Sequence, residues 1–235
     1  RFLGRSHDAA TALAALDLLV ADGRFVVSAD VMTAVPGQDS AADLGQVARR
    51  GPHHMSAYTL TIEDGTPFAR RGVVVDAHAE LAALRVAAEV LGGYGFERYE
   101  VSNHAQPGHA AVHNGAYWRH RFWLGLGPSA AAYEPPGPSD PPGVVAVRRC
   151  NLGFEPWAAG GPANRELVDA HDHLATGVLA GLRLVVEGAD LAALSAASGL
   201  DAEALLGDRI DALVGQGLVE RFGSRLRATA DRCAG

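Results

Sequence analysis

Residues 25–62 read FVVSADVMTAVPGQDSAADLGQVARRGPHHMSAYTLTI, and this stretch decides the fold. Its apolar start at 25–29 predicts a buried strand that ends at Asp30, and the alternation over 55–62 predicts a second strand. Between them, residues 40–50 have the spacing of a helix. Because a strand, a helix and a strand in this order are typical of a parallel sheet, the first half of the chain is predicted to be α/β.

The same alternation of helices and strands continues on both sides of this stretch. A helix is predicted over residues 9–21, with Ser6 or Asp8 as its N-cap. Asp76 precedes the most clearly amphipathic helix of the chain, and residues 99–101 are the next strand candidate. These elements extend the predicted α/β region towards residue 133.

The second half of the chain follows a different pattern. Half of residues 134–143 are proline, which predicts an irregular loop. Helices are then predicted over 165–186, 190–197 and 201–216, followed by a hairpin at 218–227. Three helices and a hairpin suggest a winged-helix-like module.

These patterns give three predicted regions: an α/β domain over residues 1–133, a Pro/Gly-rich connection over 134–163 and a helical module over 164–235. Such modules often bind DNA, but residues 167–235 contain ten acidic residues and six arginines. Since a phosphate backbone attracts positive charge, we expect a structural cap rather than a nucleic-acid surface.

Composition excludes several classes of protein. The chain has 235 residues, 48% of them hydrophobic, and a net charge of −7, so it is predicted to fold and not to bind nucleic acid. Apolar runs stay shorter than the roughly 20 residues that a bilayer span needs. Two distant cysteines, Cys150 and Cys233, exclude a disulfide framework. No signal peptide is visible, and since the chain opens on Arg1 we expect a truncated start.

Aromatic and histidine residues concentrate in residues 94–133. This segment holds eight of the 15 aromatic residues and four of the ten histidines. They are Tyr94, Phe96, Tyr99, His104, His109, His113, Tyr117, Trp118, His120, Phe122, Trp123 and Tyr133. Rings beside neutral imidazoles suit a flat, metal-bearing ligand such as a tetrapyrrole. The alternative is a folded apolar patch with surface histidines, because the histidine spacing matches no tight metal motif.

A second candidate site is Asp30, predicted at the carboxyl end of its strand, where α/β barrels carry their sites. A carboxylate there can accept two hydrogen bonds from ribose hydroxyls. The alternative is an Asp that caps a helix or orders a loop. Arg5 has two similar interpretations, a guanidinium for a ligand carboxylate or a surface arginine.

With these residues in view, the chain resembles the HemW-type heme chaperones, radical SAM proteins close to oxygen-independent coproporphyrinogen III oxidase. The matching motifs follow the family's order along nearly the whole chain, and HNGAYW at 113–118 is the most specific to the chaperone branch. The others are FLGRSHDAA at 2–10, Asp30 with PGQ at 36–38, SAY at 56–58, EDGT at 63–66, YEVSNHA at 99–105, GLGPSA at 125–130, and GLR at 181–183 with Gly188.

The resemblance implies a fold and a set of roles. The fold would be the second half of a partial (β/α) radical SAM barrel, followed by the small helical module. Arg5 and Asp30 would contact S-adenosylmethionine. A heme-associated motif would consist of His113, Asn114, Tyr117 and Trp118, with His113 as the iron ligand.

It also implies cofactors and partners. The family holds a [4Fe-4S] cluster through three cysteines that this chain lacks, so we expect no cluster on this chain alone. The expected function is a cytoplasmic heme chaperone that passes heme to apo-hemoproteins, possibly respiratory ones. The alternative is radical oxidative decarboxylation of coproporphyrinogen III. An inert fragment with the family fold is the third interpretation.

Overall fold

The computed structural model describes residues 6–229, which divide into two units at residue 112. Unit 1 covers residues 6–111 and unit 2 covers residues 112–229. Arg5, a predicted cofactor contact, and Cys233 lie outside the described residues.

Unit 1 is a helix-backed sheet. In chain order its elements are α1 (Ala9–Asp22), β1 (Ser28–Thr33), α2 (Ser40–Ala48), β2 (His54–Thr59), α3 (Pro67–Arg70), α4 (Ala77–Gly93), β3 (Glu97–Arg98) and β4 (Asn103–Ala105). The strands form one sheet in the order β1-β2-β4-β3, and β1 runs parallel to β2. The predicted strand-helix-strand unit is therefore confirmed, while β4 pairs antiparallel with both of its neighbours.

The core of unit 1 lies on one face of this sheet. Met55 and Ala57 of β2 are fully buried against Leu44 of α2 and Leu91 of α4. Because side chains alternate along a strand, the intervening residues of β1 and β2 lie on the opposite face. Asp30, which is exposed and pairs with Ser56, lies on that second face.

Two strand predictions in unit 1 are corrected by the structure. The first strand does not end at Asp30 but runs on to Thr33, because Val31 and Met32 continue the pairing with β2. Its predicted apolar start is outside the strand, and Phe25 is 55% exposed. Residues 99–101 are not a strand but part of the turn between β3 and β4.

Unit 2 contains two antiparallel sheets and five helices among its described residues. In chain order its elements are α5 (Val112–Trp118), β5 (Ala131–Glu134), β6 (Val144–Cys150), α6 (Phe154–Ala158), β7 (Asn164–Asp169), α7 (Ala170–Gly181), β8 (Ala189–Asp190), α8 (Leu191–Ser198), α9 (Ala202–Gly215), β9 (Val219–Phe222) and β10 (Arg225–Ala228). One sheet has the order β5-β6-β7 and the other the order β8-β10-β9. Both units therefore mix helices and strands, as the predicted α/β class requires of the first half, whereas the second half is not purely helical.

The helix predicted over residues 165–186 is in fact a strand followed by a helix. Residues 164–169 pair with β6, and Asp169 caps α7 by accepting a hydrogen bond from the Asp172 N–H at 2.9 Å. Pairing in the sheet outweighs the local helical pattern here. The next two helices and the final hairpin are confirmed, with Gly223 at φ 62° in the hairpin turn.

The region predicted as a connection, residues 134–163, holds ordered elements. Its proline-rich first part is an irregular loop, but β6 occupies Val144–Cys150 and α6 occupies Phe154–Ala158. Valines in this segment favour a strand, and β6 pairs on both sides. Within residues 6–229, no helix is both long and apolar enough to cross a membrane.

Candidate functional site

A cavity of about 530 Å³ in unit 2 collects part of the aromatic segment. We call it the aromatic cavity. Its volume is in the range of pockets that take small molecules, and aromatic rings with a few polar groups form its walls. The lining residues are Tyr117, Trp118, His120, Trp123, Ala131, Ala132, Tyr133, Arg148, Arg149, Cys150, Asn164, Arg165, Glu166, Thr176 and Ala180.

Helix α5 and the turn after it bring three of these side chains together. Tyr117 and Trp118 are the last two residues of the helix, and His120 follows in a left-handed conformation at φ 52°. The His120 N–H donates to the Tyr117 carbonyl at 3.0 Å and the Arg121 N–H to the Ala116 carbonyl at 2.9 Å. These bonds are those of a Schellman motif, which ends the helix and turns the His120 side chain towards the cavity.

The rings of Trp123 and Tyr133 meet at the other side of the cavity. Their backbones pair across an isolated bridge, and their ring centroids are 5.2 Å apart. Tyr117 packs edge-on against Trp123 at 4.5 Å. Tyr133 is 1% exposed and packs with Ala146 and Val168, so the core of the β5-β6-β7 sheet holds this wall in place.

Tyr133 is also the middle member of a hydrogen-bonded chain of three side chains. We call His120, Tyr133 and His173 the His–Tyr–His chain. The Tyr133 hydroxyl is 2.6 Å from His173 Nδ1 and 3.0 Å from His120 Nε2. Burial lowers the pKa of His120 to about 4, also lowers that of His173, and raises that of Tyr133 to about 12. All three groups are therefore neutral at pH 7.

Two buried nitrogen atoms near the cavity lack hydrogen-bond partners. They are the indole Nε1 of Trp118 and Nε2 of His173. Buried polar atoms are normally paired, and each unpaired one costs about 1–3 kcal/mol. Trp118 lines the cavity, and Arg183 stacks over its ring at 4.4 Å. An acceptor on a bound ligand would satisfy the Trp118 donor.

Three arginines of β6 and β7 also line the cavity, and each already has an anionic partner. Arg148 pairs with Glu166 at 2.9 Å and with Asp172 at 2.8 Å. Arg149 pairs with Glu134 at 2.8 Å, a bond that lowers the pKa of that carboxyl, and Arg165 pairs with Asp140 at 2.9 Å. A ligand carboxylate would therefore compete with existing ion pairs here.

The structure separates the predicted heme residues. Tyr117 and Trp118 line the cavity, whereas His113 is exposed at the start of α5 and does not line it. The Tyr117 hydroxyl lies 2.5 Å from His113 Nε2, so this nitrogen already has a partner. Asn114 lies on the same helix, half-buried and outside the cavity lining.

Asp30 lines a separate cleft of about 510 Å³ in unit 1. Gln38 and Asp43 share the cleft, and Gln38 Nε2 donates to Asp43 at 2.8 Å and to the Met32 carbonyl at 2.7 Å. The exposed Asp30 carboxylate and these polar groups fit ribose hydroxyls chemically. Gln38 lies in a motif of the resemblance, whereas no motif indicates a role for Asp43.

The described residues do not fit an iron–sulfur cluster. Cys150 is the only cysteine among residues 6–229, and no group of three histidine, cysteine or acidic side chains in that range could hold a metal ion. A cluster needs convergent thiolates. We therefore derive no chemical step through a cluster on this chain.

Three side chains at or next to the aromatic cavity have no role in the sequence-based predictions. His120 and Tyr133 belong to the aromatic segment but are not among the predicted site residues, and His173 lies outside that segment. One signal was available for His120, since a polar residue directly after a helix often adopts the left-handed conformation. No sequence signal connects His173 to Tyr133, which lies 40 residues earlier.

Comparisons with known proteins agree with the resemblance. Residues 168–231 match the family model of the HemN C-terminal domain. A heme chaperone HemW from Synechocystis is 33% identical over 170 residues, which cover 67% of this chain and 40% of that protein. The resemblance to HemW-type heme chaperones is confirmed. The chain spans two-fifths or less of the length of each curated relative described here.

Two further relatives and one solved structure extend the comparison. A HemW heme chaperone from Mycobacterium tuberculosis is 34% identical over 56% of this chain and 36% of its own length. The mitochondrial radical S-adenosyl methionine domain-containing protein 1 of Mus musculus is 37% identical over 55% of this chain and 31% of its own length.

The solved structure is coproporphyrinogen III oxidase HemN from Escherichia coli, a radical SAM enzyme. The structural match covers 98% of this chain and 57% of the HemN chain. Its TM-score of 0.70 at 16% identity shows a shared fold. A C-terminal portion of a HemW-like protein fits all of these findings.

Proposed function

We propose that this chain is the heme-binding portion of a heme chaperone, which takes up heme and passes it to an apo-hemoprotein. One observation carries the proposal: Tyr117 and Trp118 of the HNGAYW motif line an apolar cavity of about 530 Å³. The HemW names of the relatives supply the function, and the cavity supplies a place for the ligand.

The chemistry of the cavity suits a porphyrin ring. Trp123 and Tyr117 offer aromatic faces and edges, and Ala131 and Ala132 leave room beside them. The Trp118 ring lines the cavity beside them. The family motif suggests His113 for the iron and Asn114 beside it as a further contact, although neither residue lines the cavity.

The remaining parts of the proposal follow the family. Unit 1 would contribute part of a radical SAM barrel, and the α7–α9 helices with the β8-β10-β9 sheet a winged-helix-like module. Asp30, together with Arg5, would contact S-adenosylmethionine, whose reductive cleavage depends on a [4Fe-4S] cluster held by other residues. The heme acceptors would be apo-hemoproteins, including respiratory ones, in the cytoplasm.

A hemin titration of the purified chain tests the proposal. We expect saturable binding with a shifted Soret band, and we expect Trp118→Ala to weaken the affinity roughly tenfold, or about 1.4 kcal/mol. Trp157→Ala is the matched control, because Trp157 is 40% exposed and lies outside the cavity lining. Equal affinity in both variants, or no binding by the unchanged chain, would refute the proposal.

The second candidate function is oxidative decarboxylation of coproporphyrinogen III, favoured by the shared fold with HemN. It needs a cluster whose thiolates lie outside the described residues. Anaerobic conversion of coproporphyrinogen III by a cluster-loaded protein that includes this chain would support the enzyme over the chaperone.

A further inference from the structure

The backbone of His120 is unusual for a residue that ends a helix. Only three non-glycine residues between residues 6 and 229 have a left-handed backbone, and His120, at φ 52°, is the one in the helix-ending turn of α5. Glycine is favoured at this position of a Schellman motif because it has no Cβ to crowd the neighbouring carbonyl. A histidine in this left-handed conformation costs conformational free energy, so we expect its side chain to make an interaction that offsets the cost.

The imidazole of His120 is held from two sides. One edge of the ring faces α7, where a Cβ on Gly177 would lie 3.1 Å from His120 Cδ2. The Nε2 atom lies 3.0 Å from the Tyr133 hydroxyl, and a longer contact of 3.5 Å joins it to Thr176. Because Gly177 lets the helix backbone come this close, the ring has little freedom to rotate.

The other ring nitrogen of His120 is free. No described residue forms a hydrogen bond to its Nδ1, and this atom is not among the buried unpaired atoms of the described chain. The ring itself lines the aromatic cavity. An imidazole nitrogen with no partner among residues 6–229 therefore belongs to a ring that lines the aromatic cavity.

The His–Tyr–His chain determines which nitrogen of His120 carries the proton. Tyr133 has one hydroxyl proton, and we assign it to the shorter contact, the 2.6 Å bond to His173 Nδ1. The phenol oxygen then accepts a hydrogen bond from His120 Nε2–H. This leaves a lone pair on His120 Nδ1, the arrangement in which a metal-bound histidine donates its other N–H to an oxygen.

We propose that His120, and not His113, supplies the imidazole that coordinates the iron of a porphyrin bound in the aromatic cavity. Tyr133 and His173 act as positioning residues that fix the tautomer and orientation of this ring. The inference rests on the proposed function, because the iron comes with the heme. His113 is the weaker candidate because it is exposed and does not line the cavity.

The test compares hemin with iron-free protoporphyrin IX as probes of His120→Gly. Glycine suits the left-handed backbone, so this variant removes the imidazole without adding strain. We expect it to lose the histidine-ligated Soret and electron paramagnetic resonance signatures and to bind hemin roughly tenfold or more weakly. Its affinity for protoporphyrin IX should stay within about twofold, because that probe has no iron to coordinate. Added imidazole should restore the ligated spectrum.

Tyr133→Phe tests the positioning role. It keeps the ring and removes the hydroxyl, so the iron–histidine stretching frequency should shift while protoporphyrin IX affinity is unchanged. A purely structural hydroxyl would alter both probes equally. His113→Ala removes the competing imidazole of the motif, and on this inference it should retain the ligated spectrum. Trp157→Ala, outside the cavity lining, is the matched control.

The outcomes separate this inference from the proposed function. If His113→Ala loses the ligated spectrum and His120→Gly keeps it, the inference is wrong and heme binding stands. If the unchanged chain binds no hemin, both fall. If His120→Gly also loses protoporphyrin IX binding, the pocket itself is damaged, and His120→Asn, which tolerates the same backbone, decides by the same spectra.

Discussion

His54 in unit 1 and His120 in unit 2 each pair with a tyrosine hydroxyl, and they differ in what the second ring nitrogen does. In unit 1, His54 Nε2 lies 2.9 Å from the Tyr99 hydroxyl and Nδ1 lies 2.9 Å from Ser28 Oγ. In unit 2, His120 Nε2 bonds Tyr133 but Nδ1 has no partner among the described residues. Burial lowers the pKa of both imidazoles, so a shifted pKa does not distinguish them.

The difference indicates how to separate a structural histidine from a binding one. His54 is 5% exposed with both nitrogens satisfied, as expected of a group that joins β1 to the rest of its sheet. His120 has one nitrogen anchored and one beside an open cavity. An incomplete hydrogen-bond set next to empty space marks a site that a ligand can complete.

The comparison depends on the tight packing around Tyr133. Replacing this residue should therefore have the largest effect on the free energy of unfolding. Tyr133→Ala removes a fully buried ring from the core of the β5-β6-β7 sheet and should lower the free energy of unfolding by about 3–5 kcal/mol. Urea denaturation measures it. Tyr133→Phe, which loses only the hydroxyl, should cost about 1–2 kcal/mol. If Tyr133→Ala lowered the free energy of unfolding by less than Tyr133→Phe does, the packing described here would be contradicted.

Replacing each histidine tests the contrast itself. His54→Ala removes the hydrogen bonds that join this imidazole to Ser28 and Tyr99 and should cost about 2–3 kcal/mol of unfolding free energy. His120→Gly relieves a left-handed backbone and should change stability by less than about 1 kcal/mol. Thermal and urea unfolding of both variants in the same buffer provide the comparison. The distinction fails if the His120 variant is the less stable of the two.

His104 extends the comparison to a buried histidine whose ring nitrogens form no side-chain hydrogen bond within residues 6–229. It is 1% exposed. His104→Phe fills the same space without unpaired atoms and should raise the free energy of unfolding by about 1–3 kcal/mol at pH 7. His78→Phe, at an exposed position of α4, is the control and should change little.

His104 also predicts a pH dependence. Burial, followed by the positive charge of Arg98, lowers the pKa of His104 from 6.5 to about 4. Since the unfolded state binds the proton more tightly, this group's contribution to stability is present above pH 6.5 and is lost as the pH falls towards 4. The stability of His104→Phe should therefore decline less between pH 6.5 and pH 4. Identical slopes for the two proteins would contradict this.

The smallest expected effect concerns His113. Its side chain is exposed and its bond to Tyr117 lies at the surface. His113→Ala should change the free energy of unfolding by less than about 0.5 kcal/mol. A melting curve checks it. A loss comparable to that of His54→Ala would place His113 among the structural histidines.

Much of the fold could be predicted from local patterns. The β1-α2-β2 unit, helices α1, α8 and α9, and the final hairpin follow from apolar spacing, caps and turn glycines. The errors occur where strands depend on distant partners. Residues 164–169 look helical locally but pair with β6, and the first strand continues past Asp30 because β2 lies beside it.

Local sequence patterns predicted only part of the candidate site. The aromatic segment and its motif indicated Tyr117 and Trp118, both of which line the cavity. They could not indicate which histidine faces that space, because a helix of seven residues carries His113 at one end and the Schellman turn places His120 beyond the other. His173 reaches Tyr133 only through the packing of α7 on the sheet.

The sequence by itself determined the class of the fold and the family resemblance, since these depend on residue types and their spacing along the chain. Only the tertiary structure decided which imidazole nitrogen remains free and which stretch becomes a strand. Both depend on contacts between residues that are far apart in sequence, such as the 40 residues that separate Tyr133 from His173. Hydrogen bonds and burial at such distances are fixed by packing, which no local pattern records.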